Sequence, residues 1–236
     1  RIRAEEYYNG KVDSPALFTG ILDRAQLEQV RSRDLSEPLK RNAVACWDFS
    51  IGIKGAVVYD SSPNKLNGRL VNMPTRGMKG HNWSGREMNW ANAPSEYGAI
   101  HFHDDDIDDA RWDVDFTIKI PEGLKSGVYA ARLRVDGREE SENEDYIPFC
   151  VKPPKGKATS KILFLLPTNS YMAYSNDNLG TNSVVAQLLA GKVPVMSASD
   201  LYLNEHREYG LSTYSKHSDG SGVAISSRLR PILNMR

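Results

Sequence analysis

Ile162-Leu163-Phe164-Leu165-Leu166 is the stretch on which the reading of the fold turns. An apolar run with no polar alternation suits a strand covered on both faces, as in a parallel sheet. Pro167 to Ser170 follow, then Tyr171-Met172-Ala173-Tyr174-Ser175-Asn176-Asp177. Asn182 or Ser183 can cap a helix carrying Val184, Val185, Leu188 and Leu189. Gly191 stops that helix, and Val193-Pro194-Val195-Met196 reads as a short second strand. Strand, helix and strand predict the start of an α/β domain over residues 158–236. Ligands of such sheets gather beyond the carboxyl ends of the strands. The Tyr171–Tyr174 segment and the later Leu211-Ser212-Thr213-Tyr214 segment lie in or near such positions.

Upstream the pattern is different. Lys152-Pro153-Pro154-Lys155-Gly156-Lys157 has the composition of a linker. Before it, Val44 to Phe49, Val57 to Asp60 and Arg69 to Val71 read as short strands separated by Asn, Gly and Pro turns, which predicts an antiparallel sandwich. Asp23 can cap a short helix with Gln26 in the reciprocal position, placing Leu27 and Val30 inward. Arg31 to Arg41, with Pro38, reads as a connection. Met73 to Tyr97 reads as a long loop studded with His81, Trp83, Trp90 and Tyr97, unusual without a function or hidden structure. From Ile100 onward, Trp112 to Ile120, Tyr129 to Val135 and Ile147 to Val151 alternate as antiparallel strands with one wet face. Residues 1–157 are therefore expected to be β, with helix only near Asp23. The expected units are 1–98, 99–157 and 158–236.

The 236 residues carry 40% apolar content, enough for one or two cores. Formal charge is zero, so no basic field is present to hold a nucleic-acid backbone. No apolar run is long enough to span a bilayer. Cys46 and Cys150 lie far apart in strand-like patterns, where two buried free thiols are favoured over a disulfide. The chain starts at Arg1 without a methionine and stops at Arg236 soon after a strand-like run, which reads as a fragment or a processed piece.

Several segments carry candidate chemistry. His101-Phe102-His103 puts two imidazoles on one face of a strand, and Asp104, Asp105, Asp106, Asp108 and Asp109 follow. That set could hold a metal, or it could be a polar strand end running into a solvated acidic turn. Tyr171, Tyr174 and Tyr214 could be ordinary aromatics. Their polar settings (Thr168, Asn169 and Ser170 before one group; Ser212, Thr213, Ser215 and His217 around the other) favour a site. A free phenol titrates at about 10, and a hard trivalent cation beside it makes the phenolate accessible at neutral pH. His217, Ser218 and Asp219 adjoin in sequence, but no nucleophile elbow accompanies them. Gly220 and Gly222 lack the lysine of a phosphate loop.

Two resemblances add to this reading. Val44 to Phe49, Asp60 to Asn64 and Asn67 to Val71 resemble the opening of a concanavalin-type, laminin-G-like sandwich. Its closing part resembles Gly10 to Asp13 with the helix after Gly20, so the order looks permuted or partial. Such modules often bind sugars or calcium, which gives the alternative of a non-catalytic carbohydrate- or calcium-binding or structural module.

Tyr59 to Asn64, Tyr97 to Asp106, Trp112, Ser126 to Arg132, Ile147 to Phe149, Asn169 to Asn176, Leu211 to Tyr214, His217 to Gly222 and Ser227 to Asn234 carry a broader resemblance, to an internal piece of the N,N-dimethylformamidase large-subunit family. The family implies an amidohydrolase opening the C–N bond of small formamides to formate and an amine. It implies sandwich-like modules joined to a glutamine-amidotransferase-like α/β domain, and a mononuclear non-haem Fe(III) held by two tyrosines and a glutamate. Carried over, Tyr214 takes one tyrosine position and Tyr174 the other, with Tyr171 as the alternative. The glutamate is expected beyond Arg236. His217 is the local candidate for the group that protonates the leaving amine, with the glutamate or another distal residue as the alternative. The implied partners are a small-molecule amide, a small (alpha) subunit and further large subunits. No nucleic acid or membrane is expected, and the location expected is cytoplasmic.

Overall fold

The computed structural model describes residues 7–135, 144–177, 188, 191, 195–196 and 198–234. The described chain is mainly β, and its named strand pairs are antiparallel. In chain order the N-terminal elements are β1 (Gly10–Asp13), β2 (Ala16–Phe18), α1 (Arg24–Ser32), α2 (Glu37–Asn42), β3 (Ala43–Asp48), β4 (Val57–Asp60), β5 (Gly68–Arg69), β6 (Thr75–Met78) and β7 (Ala99–Phe102). They build one sheet of order β1-β7-β6 and another of order β2-β3-β4-β5. Ile100 of β7, Val58 of β4 and Phe49 form a buried cluster, flanked by Val12, Trp47, Leu70 and Phe102. The core therefore draws on both sheets. Ile100 is fully buried, and truncating such a residue to Ala typically costs about 2–5 kcal/mol.

Asp60 shows how the short strands are held. Its Oδ1 accepts from the Cys46 and Ser62 backbone N–H groups, each at 2.8 Å. Its Oδ2 accepts from the Ser62 hydroxyl and the Leu66 N–H, each at 2.7 Å. Burial pushes the Asp60 carboxyl up, but these hydrogen bonds outweigh it and hold the group at about 2. The Ser61 to Gly68 turn is thus wrapped around one carboxylate that also binds β3.

The capping box read at Asp23 is present, with Asp23 accepting from Gln26 N–H and Gln26 accepting from Asp23 N–H. The helix nevertheless buries none of its residues, and Leu27 is exposed rather than inward. The connection Arg31 to Arg41 contains α2, with Pro38 in its first turn, where a missing N–H costs nothing. The 73–97 segment holds β6 and a 3-10 turn at Pro94–Glu96.

β8 (Gly127–Arg134) and β9 (Glu144–Val151) form a hairpin in the alternation read from the sequence, with Tyr129 opposite Phe149 and Ala131 opposite Ile147. Cys46 is buried as expected, but Cys150 on this hairpin is exposed; both thiols are free. Trp112 to Ile120, read as a strand, has no strand pairing among the described residues and is exposed throughout. Alternation describes a strand only where a partner supplies its hydrogen bonds.

The expected buried strand Ile162 to Leu166 is also corrected. It belongs to no sheet among the described residues, and Ile162, Leu163 and Leu165 are each 86% exposed. Hydrophobicity alone cannot bury a strand without sheet neighbours and covering layers. Of the helix read over Val184 to Leu189 only Leu188 is described, and it is exposed; Val193 and Pro194 lie outside the described residues, and Val195 is exposed. After Leu166 come α3 (Thr168–Ala173), α4 (Ala198–Glu205) and a 3-10 turn at Arg207–Tyr209. No helix among the described residues is long and apolar enough to cross a membrane.

The Asp60 carboxyl sits below its unfolded value of about 3.9, so its contribution is complete above that value and disappears as pH falls through about 4 to about 2. The contribution is on the order of 2 kcal/mol. Urea unfolding should therefore show Asp60→Asn destabilised by about that amount at pH 7 and less steeply weakened by acid than the parent. Equal stability of the two proteins at neutral pH contradicts this account.

Candidate functional site

The tyrosine pair is assembled by backbone contacts. α3 opens directly after Pro167, and Tyr174 closes its last turn by donating its N–H to the Ser170 carbonyl at 3.1 Å. Thr213 donates both its N–H and its hydroxyl to the Ala173 carbonyl, each at 3.1 Å. The Ser226 hydroxyl donates to the Met172 carbonyl at 2.7 Å. This clasp brings residues adjacent to Ala173 and Thr213 together across about 40 positions of chain. Tyr174 and Tyr214 stack with ring centroids 4.4 Å apart and planes at 23°. Each ring is about half exposed, so the pair is open to solutes.

Buried polar groups underpin the clasp. Asn176 takes φ of 60°, a conformation its short polar side chain tolerates. Its Nδ2 donates to the Gly210 and Pro231 carbonyls at 3.0 and 2.9 Å, and its Oδ1 accepts from Leu233 N–H at 2.9 Å. Arg230 is 5% exposed. Its guanidinium donates to the carbonyls of Gly210, Leu211, Tyr209 and Ser175 and to the Ser226 hydroxyl. Burial pulls the Arg230 pKa down from its ordinary value. Gly210, with φ of 91°, has no room for a side chain, because a Cβ would lie 2.6 Å from Arg230 Cδ and 2.8 Å from Ile107 Cγ2.

The sequence left Tyr171 and Tyr174 open as partners of Tyr214. Tyr174 is the one stacked on it. A hydrogen bond to Tyr214 pushes the Tyr174 phenol up, and the charge of a Tyr214 phenolate would push it further. Two phenols on rings stacked this closely thus stay neutral unless a cation offsets the repulsion between phenolates. Tyr171 and Tyr174 both line an open groove of about 640 Å³ that also takes in Val128, Phe149, Leu166 and Met172. The β8–β9 hairpin supplies one wall and α3 another.

The second constellation joins the acidic segment to the His217 loop. Asp104 accepts from the Ser218 hydroxyl at 2.8 Å, Asp105 Oδ1 lies 2.5 Å from His217 Nδ1, and His101 Nε2 lies 2.9 Å from Asp219 Oδ2. His103 Nε2 lies 2.9 Å from Ser221 Oγ. The His103 and His217 rings stack at 3.6 Å and 4°. The solvated acidic turn expected from the sequence is thus replaced by a network in which Asp105 and Asp106 keep only 11% and 12% side-chain exposure. Burial pushes the Asp106 carboxyl up, partly opposed by the neighbouring imidazoles. Burial and the nearby His103 pull His101 down, partly opposed by Asp219. Hydrogen bonds from the Ser221 hydroxyl and N–H hold Asp219 at about 2.

His217 is therefore a buried member of this network, whereas the tyrosines are half exposed. His217, Ser218 and Asp219 do not converge on one another: they bond to Asp105, Asp104 and His101, respectively. The sequence reading singled out both His-Asp segments but not their pairing, and it gave Arg230 no role. The only signal was complementarity, since each segment carries imidazoles and carboxylates that can satisfy the other's.

A family model described as "N,N-dimethylformamidase beta subunit-like, C-terminal" matches residues 75–236. A protein of Paracoccus aminophilus called N,N-dimethylformamidase beta subunit is 44% identical over 235 residues, covering 97% of this chain and 30% of that protein. One of the same name from Alcaligenes sp is 43% identical over 236 residues, covering 98% of this chain and again 30% of the relative. The chain thus spans about 30% of the length of these relatives.

Arg230→Met removes the donor shared by several buried carbonyls and should destabilise by about 2–5 kcal/mol. Gly210→Ala should also destabilise, by strain and clash rather than donor loss, because both its backbone angle and the Arg230 side chain resist a Cβ. Denaturant midpoints measure both effects. A neutral Arg230→Met change shows that other donors serve those carbonyls.

Proposed function

Because this chain belongs to the N,N-dimethylformamidase beta subunit-like family, we propose that it supplies the tyrosine ligands of a mononuclear non-haem Fe(III) centre in an amidohydrolase. The reaction is hydrolysis of the C–N bond of N,N-dimethylformamide or a related small formamide, with water entering to give formate and an amine. The observation that carries this reading is the Tyr174–Tyr214 pair, with rings 4.4 Å apart and half exposed. Two phenols on stacked rings are a hard oxygen donor set, anionic on deprotonation, of the kind that suits a ferric ion. A third ligand, a glutamate, belongs to the longer protein rather than to this chain. When bound, the ion supplies Lewis acidity toward a carbonyl oxygen and acidity to a water.

The rest is the work of the chain's own residues. Arg230, Asn176 and Thr213 hold the two tyrosine-bearing segments in register, a pre-organisation that a binding site requires. The apolar wall of the groove beside Tyr174 offers contact to the alkyl groups of a small amide. Tyr171 lines that groove without stacking on Tyr214 among the described contacts, which favours Tyr174 as the ligand. His217, bonded to Asp105 and stacked on His103, acts as a positioning residue for the loop that carries Tyr214. The acid that protonates the leaving amine is then sought elsewhere in the longer protein.

The proposal extends to organisation. Residues 1–98 are read as a partial laminin-G-like sandwich, 99–157 as an antiparallel β module and 158–236 as the opening of an amidotransferase-like domain. Both relatives are called beta subunits, and assembly with a small alpha subunit and further large subunits is proposed here as well.

In the full-length protein, Tyr214→Phe keeps the stacked ring and removes one anionic oxygen. Iron content, the visible phenolate-to-iron charge-transfer band and formamide turnover should fall together, turnover on the order of 100-fold or more. Tyr171→Phe should retain iron and colour. An active enzyme free of iron defeats the mechanism, and loss of iron from Tyr171→Phe alone reassigns the ligand.

A further inference from the structure

We infer that the groove between α3 and the β8–β9 hairpin is a pocket for a bulky, uncharged, apolar substituent on the amide nitrogen, so that the substrates of this chain extend to formamides of the N-benzyl type. The inference rests on the amidohydrolase reading of the Tyr174–Tyr214 pair and adds to it what the substrate carries.

The hairpin register sets one wall. Val128 lies opposite Cys150, Ala130 opposite Pro148, Arg132 opposite Tyr146 and Arg134 opposite Glu144. Strand alternation puts these pairs on one face of the hairpin. The chemistry changes along that face. Its far end is charged, with Glu144 ion-paired to Arg132 and Arg134. Its near end carries only Val128, Ala130, Pro148 and Cys150. Val128 is 60% exposed, and the Cys150 thiol is free and exposed. Tyr129 and Phe149 belong to the opposite face, where they stack on each other at 6.0 Å. An exposed apolar patch rimmed by polar groups marks a surface that binds something.

The second wall identifies the occupant. Val128, Pro148 and Cys150 line the groove from the hairpin, and Leu166, Tyr171 and Met172 line it from the other side. Tyr174 belongs both to the groove and to the tyrosine pair, so a molecule held at the pair extends into the groove. None of the described residues lining it is charged, and its polar members (Thr168, Ser170 and Asn234 beside the phenols) are neutral. A charged substituent loses hydration there without gaining a partner. The volume of about 640 Å³ falls among the sites of about 300–1,000 Å³ that bury drug-sized ligands. The methyl groups of dimethylformamide fill only a small part of it. A benzyl ring fills more, and it suits both the Met172 thioether and the tyrosine rings. Each added methylene in an apolar pocket is worth about 10-fold or more in discrimination.

The test uses the full-length protein with N-methylformamide and N-benzylformamide, which share the amide and differ in the substituent. In each, water adds and the C–N bond breaks, giving formate and methylamine or benzylamine. Binding is read first, by calorimetry on protein stripped of metal with a chelator, so that the iron reading does not enter. N-Benzylformamide should bind at least about 10-fold more tightly than N-methylformamide, and it should protect Cys150 from alkylation by N-ethylmaleimide. Val128→Trp fills the groove from an exposed strand position and should abolish the difference in affinity. Should that variant fail to fold, the affinity ratio and the Cys150 protection in the parent decide alone. On iron-loaded protein, kcat/KM should favour N-benzylformamide by a similar factor. Equal or weaker binding of N-benzylformamide, a preference that survives Val128→Trp, or alkylation of Cys150 at an unchanged rate overturns the proposal. Tight binding of N-benzylformamide with turnover of neither formamide supports the pocket and defeats the iron reading. Turnover of N-methylformamide without the binding preference does the reverse.

Discussion

The bond between Asp105 and His217 is the contact on which the C-terminal part of this molecule depends. It joins residues 112 positions apart, and three parallel contacts accompany it: Asp104 with Ser218, His101 with Asp219, and His103 with Ser221. One side of this seam grows from β7, the middle strand of its sheet, whose Ile100 is fully buried in the core. The other side is the loop that follows Tyr214. The rigidity of the sheet is thereby passed to a segment with little regular structure of its own. Partly buried carboxylates facing imidazoles strengthen such a seam, since low local dielectric raises the worth of each satisfied pair.

At the tyrosine pair, protection gives way to access. Its rings are half exposed, while the groups that fix their backbones (Ser175, Asn176, Ser212 and Arg230) are buried. Buried polar support beside accessible rings is the arrangement expected of a binding site. It also explains why a guanidinium is buried among carbonyls here, with its pKa pulled down by burial. One planar cation satisfies the carbonyls of several turns that no helix or strand would satisfy.

Local chemistry was readable wherever the partners were near in sequence. Asp23 and Gln26 form their capping box, and Tyr129 meets Phe149 across a hairpin whose alternation announced it. Reading failed where burial depends on distant chain. Ile162 to Leu166 has the composition of a covered strand and is exposed, and Trp112 to Ile120 alternates without a partner. Composition states what a segment would bury, not whether a neighbour is there to bury it.

The candidate sites divide in the same way. The residue types were visible in the chain: phenols in polar segments, and paired imidazoles beside a run of aspartates. Which tyrosine meets Tyr214 was open in the sequence, because Tyr171 and Tyr174 sit in equally polar surroundings. The choice follows from the Thr213 clasp on the Ala173 carbonyl, which sets the adjacent Tyr174 against Tyr214. Likewise, the sequence by itself determined that histidines and aspartates were present in two segments. Only the tertiary structure decided that Asp105 would meet Nδ1 of His217 and Ser221 would meet Nε2 of His103. Hydrogen-bond direction depends on which atoms meet in space, and no spacing along the chain encodes it.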